Sequence, residues 1–124
     1  MVQIVIVGLG GFLGAIARYL ISGWVYRRWG SALPWGTLAV NVAGSFVLGF
    51  FLLLSEGRFS ISPLWRSFIA VGLLGALTTF STFSYETFAL LQEQLYRQAA
   101  VNILLNVILT LAAVWLGMVS ARLV

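Results

Sequence analysis

GLLGALTTFSTFSYE, residues 72–86, drops a run of threonines and serines into the middle of an apolar stretch extending from Leu64 to Leu91. As one straight helix those 28 residues would reach about 42 Å, against a hydrocarbon core of about 30 Å. The polar run from Thr78 to Ser84 falls in mid-stretch, and Gly72 and Gly75 lie just upstream. Together these features predict a break near Thr78. A break in lipid frees backbone carbonyls that must find partners within the protein or at an ion, and a small cation held by carbonyls is one solution. It also creates a helix N-terminus near the bilayer centre, whose orphan N–H groups and dipole favour an anion. Phe80 and Phe83, at i and i+3, fall on roughly one face, from which their positive ring edges could meet that anion. Without the surrounding hydroxyls, the same pair would read as core packing.

Working outward, three more apolar stretches cover about 2–26, 35–54 and 99–121, joined by RRWGSALP, SEGRFSISP and QEQLYRQ. The chain has 124 residues, 61% hydrophobic and 8% charged, and a mean hydropathy of +1.05. A soluble domain is about a quarter charged. With about 20 residues per span, the expected fold is a single all-α membrane domain over 1–124, with four transmembrane helices per subunit and the third broken near its middle. No basic segment precedes the first stretch, which therefore reads as a retained span and not a cleaved leader.

Composition removes whole classes of chemistry. There is no cysteine, histidine or lysine, hence no thiol nucleophile, imidazole base, usual zinc site or Schiff base. Glu56, Glu86 and Glu93 are the only acids, too few and too scattered for paired-carboxylate catalysis or a calcium cage. An enzyme is not expected. The seven arginines that give the net charge of +4 form no basic face for nucleic acid.

Those arginines are also balanced across the membrane. With Met1 on side one, that side carries Arg58, Arg66 and Arg122, and the opposite side Arg27, Arg28 and Arg97. Equal numbers give no positive-inside bias, which suggests insertion in both orientations and pairing as an antiparallel two-fold dimer.

Polar residues recur inside the spans at helical spacing. Asn41, Ser45 and Gly49 share one face of the second span, and Asn102, Asn106 and Thr110 repeat the pattern in the fourth. Singly, each reads as interhelical hydrogen-bonding glue. As a set they offer neutral donors that replace an anion's water without trapping it. Arg18, well inside the first span, either snorkels to the interface or sets positive potential at the mouth of an anion path. VQIVIVGLGGFLG, at 2–14, imitates a nucleotide-binding turn, but the spacing is off and no acid follows about 20 residues on to hold a ribose. Gly10 and Gly14, with Gly11 and Ala15 beside them, are better read as a close-approach surface, echoed by Gly72 and Ala76.

These residues carry a family resemblance over nearly the whole chain. Gly11, Gly14, Ala15, Arg18 and Tyr19 match GxxGAxxRY, and Gly36, Thr37, Leu38, Val40, Asn41 and Gly44 match GTLxVNxxG. GxxGxxTTFSTFSxE, long and specific, is matched from Gly72 to Glu86. The chain resembles the Fluc (CrcB) fluoride channels, small prokaryotic membrane proteins that export fluoride. The resemblance implies a plasma-membrane (inner-membrane) location, a dual-topology homodimer with two antiparallel pores, and fluoride as the transported ion. It implies a structural sodium ion held by carbonyls at Gly75 and Thr78. It assigns Asn41, Phe80 and Phe83 to the fluoride path and a fourth-span polar track to Asn102, Asn106 and Thr110; Ser81 and Thr82, beside the phenylalanines, and Arg18, in its second reading, are counted with that path from their own positions. Two positions depart: Ala76 stands where many relatives have a second glycine, and Asn102 where they have a tyrosine.

The rival from another class is a small dual-topology proton-coupled antiporter for multidrug or cation substrates, which needs an acid deep in a span. The first, second and fourth stretches have none, and Glu86 lies toward the end of the third. A purely accessory subunit would not need two polar stripes. Single-cysteine tags in the loops are expected to react from both sides of intact cells, whereas labelling from one side alone would exclude dual topology.

Overall fold

The computed structural model describes residues 1–57 and 59–124. Arg58, counted above among the arginines, lies outside the described residues. Among the described residues the fold is all-α, with four stretches long and apolar enough to cross a membrane: Val2–Trp29, Trp35–Glu56, Pro63–Gln92 and Tyr96–Arg122. The chain is thus a multi-pass membrane protein.

Each stretch runs somewhat beyond its apolar core. The first helix, α1 (Val2–Trp29), continues through Arg27 and Arg28, where cations favour the carbonyl end of a helix dipole. It stops at Gly30, whose φ of 81° is open to glycine and costly for other residues. Helix α2 (Trp35–Glu56) follows Pro34. The fourth span, α5 (Tyr96–Arg122), begins within the segment expected to be loop, leaving residues 93–95 as the turn, with Gln94 left-handed at φ 60°.

The third span is two helices. Its first half, α3, covers residues 63–77: a turn at Pro63–Arg66 capped by Ser62, a π-helical segment Ser67–Leu74, and a last turn Gly75–Leu77. The Gly75 N–H reaches back five residues to the Ala70 carbonyl, the hydrogen-bond pattern of a π-helix. The chain then extends through Thr78 (ψ 157°) and Thr79 (ψ 119°) before α4 (Phe80–Gln92) begins. The break expected near Thr78 is therefore present, as two extended residues between helices.

Contact between backbones holds the bundle together. A Cβ added at Gly10 would run into the backbone of Phe68, Gly72 and Leu73, and one at Gly14 into the Leu73 carbonyl and the Ala76 methyl. The small residues of α1 thus meet Gly72 and Ala76 of α3, and the π-helical segment lies against α1. Helices α2 and α5 close in the same way, Gly49 on the backbone of Val114 and Gly117 on that of Phe46 and Phe50. With no hydrophobic drive between helices in lipid, such close packing supplies the association. Among the described residues, a small apolar cluster of Val40, Leu74 and Leu77 is buried at the centre, while Phe12, Leu111 and Trp115 point outward, as suits an apolar solvent. Gly14→Val is expected to destabilise the folded protein in detergent by about 1–3 kcal/mol. Gly8→Ala, where nothing lies within 4 Å of the new methyl, should not lower the thermal transition.

Candidate functional site

The break is held by a side chain that imitates a backbone. Asn41 on α2 accepts the Thr79 N–H at its Oδ1 (2.7 Å) and donates its Nδ2 to the Thr79 carbonyl (3.1 Å). In an uninterrupted helix that N–H would close on the Gly75 carbonyl. It is turned to Asn41 instead, which satisfies Thr79 and leaves the end of α3 with unclosed carbonyls. The approach is close because Thr78 sets its Cγ2 methyl where Gly44, one turn beyond Asn41, lacks a side chain.

Thr79 also starts α4. Its Oγ1 accepts the Thr82 N–H at 3.2 Å, a side-chain N-cap, and bonds the hydroxyls of Thr82 and Ser81. Phe80 and Ser81 keep N–H groups with no intrahelical partner. Beside this helix start is an opening of about 260 Å³ lined by Asn41, Ser45, Thr78, Thr79, Asn106 and Thr110, together with Leu48, Phe80, Phe83 and Val107. Among the described residues, no charged side chain lines it.

Within this lining, few side-chain donors remain free. Both Nδ2 protons of Asn41 are engaged, by the Thr79 carbonyl and by Asn106 Oδ1 at 3.2 Å. Asn106 Nδ2 turns to the backbone and side-chain oxygens of Asn102, at 3.0 and 3.1 Å. The Thr110 hydroxyl bonds back to the Asn106 carbonyl. The Ser45 hydroxyl has no hydrogen-bond partner among the described residues. Asn102 lies outside the opening, behind Asn106, 3% exposed, and donates to Thr87 Oγ1 at 2.9 Å.

The phenylalanines touch, ring centroids 5.4 Å apart and tilted by 53°. Their surroundings differ more than the shared face suggested: Phe83 is 9% exposed and Phe80 78%. Phe83 belongs to the subunit interior and Phe80 to its outer surface. Gly75 is likewise exposed, with Thr78 half-buried beside it.

A second concavity, which Thr79 also lines, contains Arg18, Tyr19, Ser22, Tyr26, Thr37, Thr82 and Glu86. Glu86 Oε1 accepts hydroxyls from Tyr26 (3.0 Å) and Thr37 (2.9 Å), while its buried Oε2 has no partner among the described residues. Arg18 lies half-buried in the same concavity and forms no ion pair with it; the ion pair among the described residues joins Arg66 and Glu56 near the second loop. Among the described residues, no group of three or more acids, histidines or cysteines could hold a metal ion.

Sequence reasoning did not single out Tyr26 or Thr87, and named Thr37 only as a match to a family motif, with no role at the site. Thr37 stands four residues before Asn41 and so extends the Asn41–Ser45–Gly49 stripe by one turn, a signal that was available. Thr87 is eight residues after Thr79, two turns along the same helix. Tyr26 has no such signal, because its partner is 60 residues away.

Residues 5–118 match the family described as CrcB-like protein, Camphor Resistance (CrcB). Among curated proteins the chain is similar to the "Fluoride-specific ion channel FluC" of Geobacter metallireducens, 48% identical over 98% of each chain. It is equally similar to the protein of that name from Hydrogenovibrio crunogenus, 48% identical over 98% of this chain and 92% of the relative. The protein of that name from Methanococcus maripaludis is 50% identical over 98% of this chain and 97% of its own length. A family match spanning all four membrane helices, with relatives this similar from end to end, makes the chain a member of the CrcB family.

Proposed function

We propose that this chain is the subunit of a passive, fluoride-selective channel that releases cytoplasmic fluoride across the plasma membrane and so lowers its toxicity. The observation that carries the reading is the uncharged opening at the start of α4, near mid-span. A helix N-terminus in a site of low dielectric favours an anion, and the free donors there are the Phe80 and Ser81 N–H groups and the Ser45 hydroxyl. The names of the curated relatives support fluoride as that anion.

Fluoride is small and tightly hydrated, so its path must place donors close enough to replace water. Chloride is too large for such spacing, and several weak sites in series allow passage. Phe80 and Phe83 contribute ring edges, and Ser81, Thr82, Asn106 and Thr110 a polar wall. Arg18 raises the potential at the other concavity. Hydrofluoric acid crosses lipid uncharged and ionises at cytoplasmic pH, after which an inside-negative potential drives the anion out, with no ATP site required.

The subunit works as an antiparallel homodimer with one path on each side. The exposed positions of Phe80 and Gly75 on the single chain support a second copy there. Carbonyls freed at Gly75 and Thr78 are neutral oxygen donors of the kind that unwound membrane helices offer to sodium. One chain supplies only part of a coordination shell, and a two-fold partner would double it. A sodium ion held there would join the copies at their third-span breaks.

Purified protein in liposomes loaded with potassium fluoride is expected to release fluoride rapidly once valinomycin is added, and to release no chloride in the matched control. Well-folded protein that releases neither ion would overturn the proposal. Asn41→Asp removes both donors from the break and adds a charge to the path. Fluoride release should fall to the level of protein-free liposomes while the protein still assembles, and undiminished release would remove Asn41 from the path.

A further inference from the structure

We infer that Asn102 and Thr87 are positioning residues, which act on the ion path from outside it by clamping the part of α4 that carries Phe80 and Phe83. The clamp is a one-way chain of hydrogen bonds. Thr87 donates its hydroxyl proton to the Phe83 carbonyl (2.8 Å), so its oxygen is left to accept from Asn102 Nδ2 (2.9 Å). Asn102 then presents Oδ1 and its backbone carbonyl to Asn106 Nδ2. Asn106 is left with Oδ1 for Asn41 Nδ2, and Asn41 closes on the N–H and carbonyl of Thr79.

Both ends of the chain have a fixed sense, because an N–H only donates and a carbonyl only accepts. No amide between them can flip without breaking a bond in a site where water is scarce. Asn41, Thr79, Thr87, Asn102 and Asn106 are each no more than 9% exposed. Thr79 and Thr87 are eight residues apart, about 12 Å along the helix, with Phe80 and Phe83 between them. One pin comes from α2 and the other from α5, and Asn106 joins the pins. Asn102 does not line the opening; its effect on ions passes through Asn106, Asn41 and the first two turns of α4.

This inference rests on the channel reading for its functional consequence, which is selectivity. A held helix start keeps donors at a fixed spacing, and a released one lets the path widen and accept chloride.

The test compares wild type, Thr87→Val, Thr87→Ser and Asn102→Leu in liposomes, by hydrogen exchange and by fluoride and chloride release. Thr87→Val is close in shape and removes only the hydroxyl, so it decides the matter even if Asn102→Leu fails to fold. Exchange over residues 78–84 is expected to quicken about fivefold, the factor set by one hydrogen bond's net contribution, while residues 2–29 keep their protection. The ratio of fluoride to chloride release should fall, and Thr87→Ser should restore both readouts. Faster exchange confined to residues 83–90 with an unchanged ion ratio would overturn the clamp. So would loss of fluoride release in Asn102→Leu with no effect of Thr87→Val, which would put Asn102 in direct contact with the ion. If wild type itself releases no fluoride, the channel reading fails, and the exchange data still decide the clamp.

Discussion

The broken third span, and every feature built on it, depends on a carboxamide standing in for a peptide unit. A membrane helix interrupted in mid-span exposes an N–H and a carbonyl that lipid does not satisfy, at a cost of several kcal/mol per group. An asparagine side chain carries the same donor and acceptor as a peptide unit, and Asn41 offers both to Thr79. Interhelical hydrogen bonds in membranes average only about 0.6 kcal/mol each. The pairing therefore matters less for the attraction it adds than for the penalty it removes, and without it Thr78 and Thr79 would return to helix. A continuous third span would have neither the N-terminus of α4 nor the freed carbonyls of α3.

The packing around Asn41 serves that pairing. Val40, its neighbour, is 1% exposed, which fixes the face that α2 presents. Gly44 lets Thr78 come within reach. On the far side, the close approach of α1 to α3 holds the π-helical segment in place, so the two halves of the third span are anchored to different partners: α3 to α1, and the start of α4 to α2 and α5. The break then joins two anchored helices and is not a loose link.

Much of this could be read from the chain itself, and the exceptions have physical reasons. The four spans follow from hydropathy and length, and the break from Thr78–Ser84 lying where a 28-residue helix cannot stay apolar. Gly10, Gly14, Gly72 and Ala76 announce a close approach. The π-helical turn at Ser67–Leu74 could not be read, since SFIAVGLL has the composition of an ordinary apolar helix and its widening goes with packing on α1. The stripes containing Asn41 and Asn106 were visible as faces, but periodicity within one helix says nothing of what stands opposite. That their amides bond each other, and that Thr87 and Tyr26 complete separate networks, depends on contacts between residues 15 to 65 positions apart. The i, i+3 spacing of Phe80 and Phe83 placed both rings on roughly one face, but spacing sets direction and not what covers each ring, and one is 78% exposed and the other 9%.

The glycine contacts carry a consequence for how such a chain changes over generations. Where Gly49 and Gly117 meet the opposite backbone, neither position accepts even a methyl group unless the facing helix moves, and moving it would carry Asn106 away from Asn41. Single steps at these sites are closed, and divergence is channelled to the outer surface, where Phe12, Leu111 and Trp115 are largely exposed. Descendants of this sequence are free to alter their exterior while inheriting the seams almost unaltered.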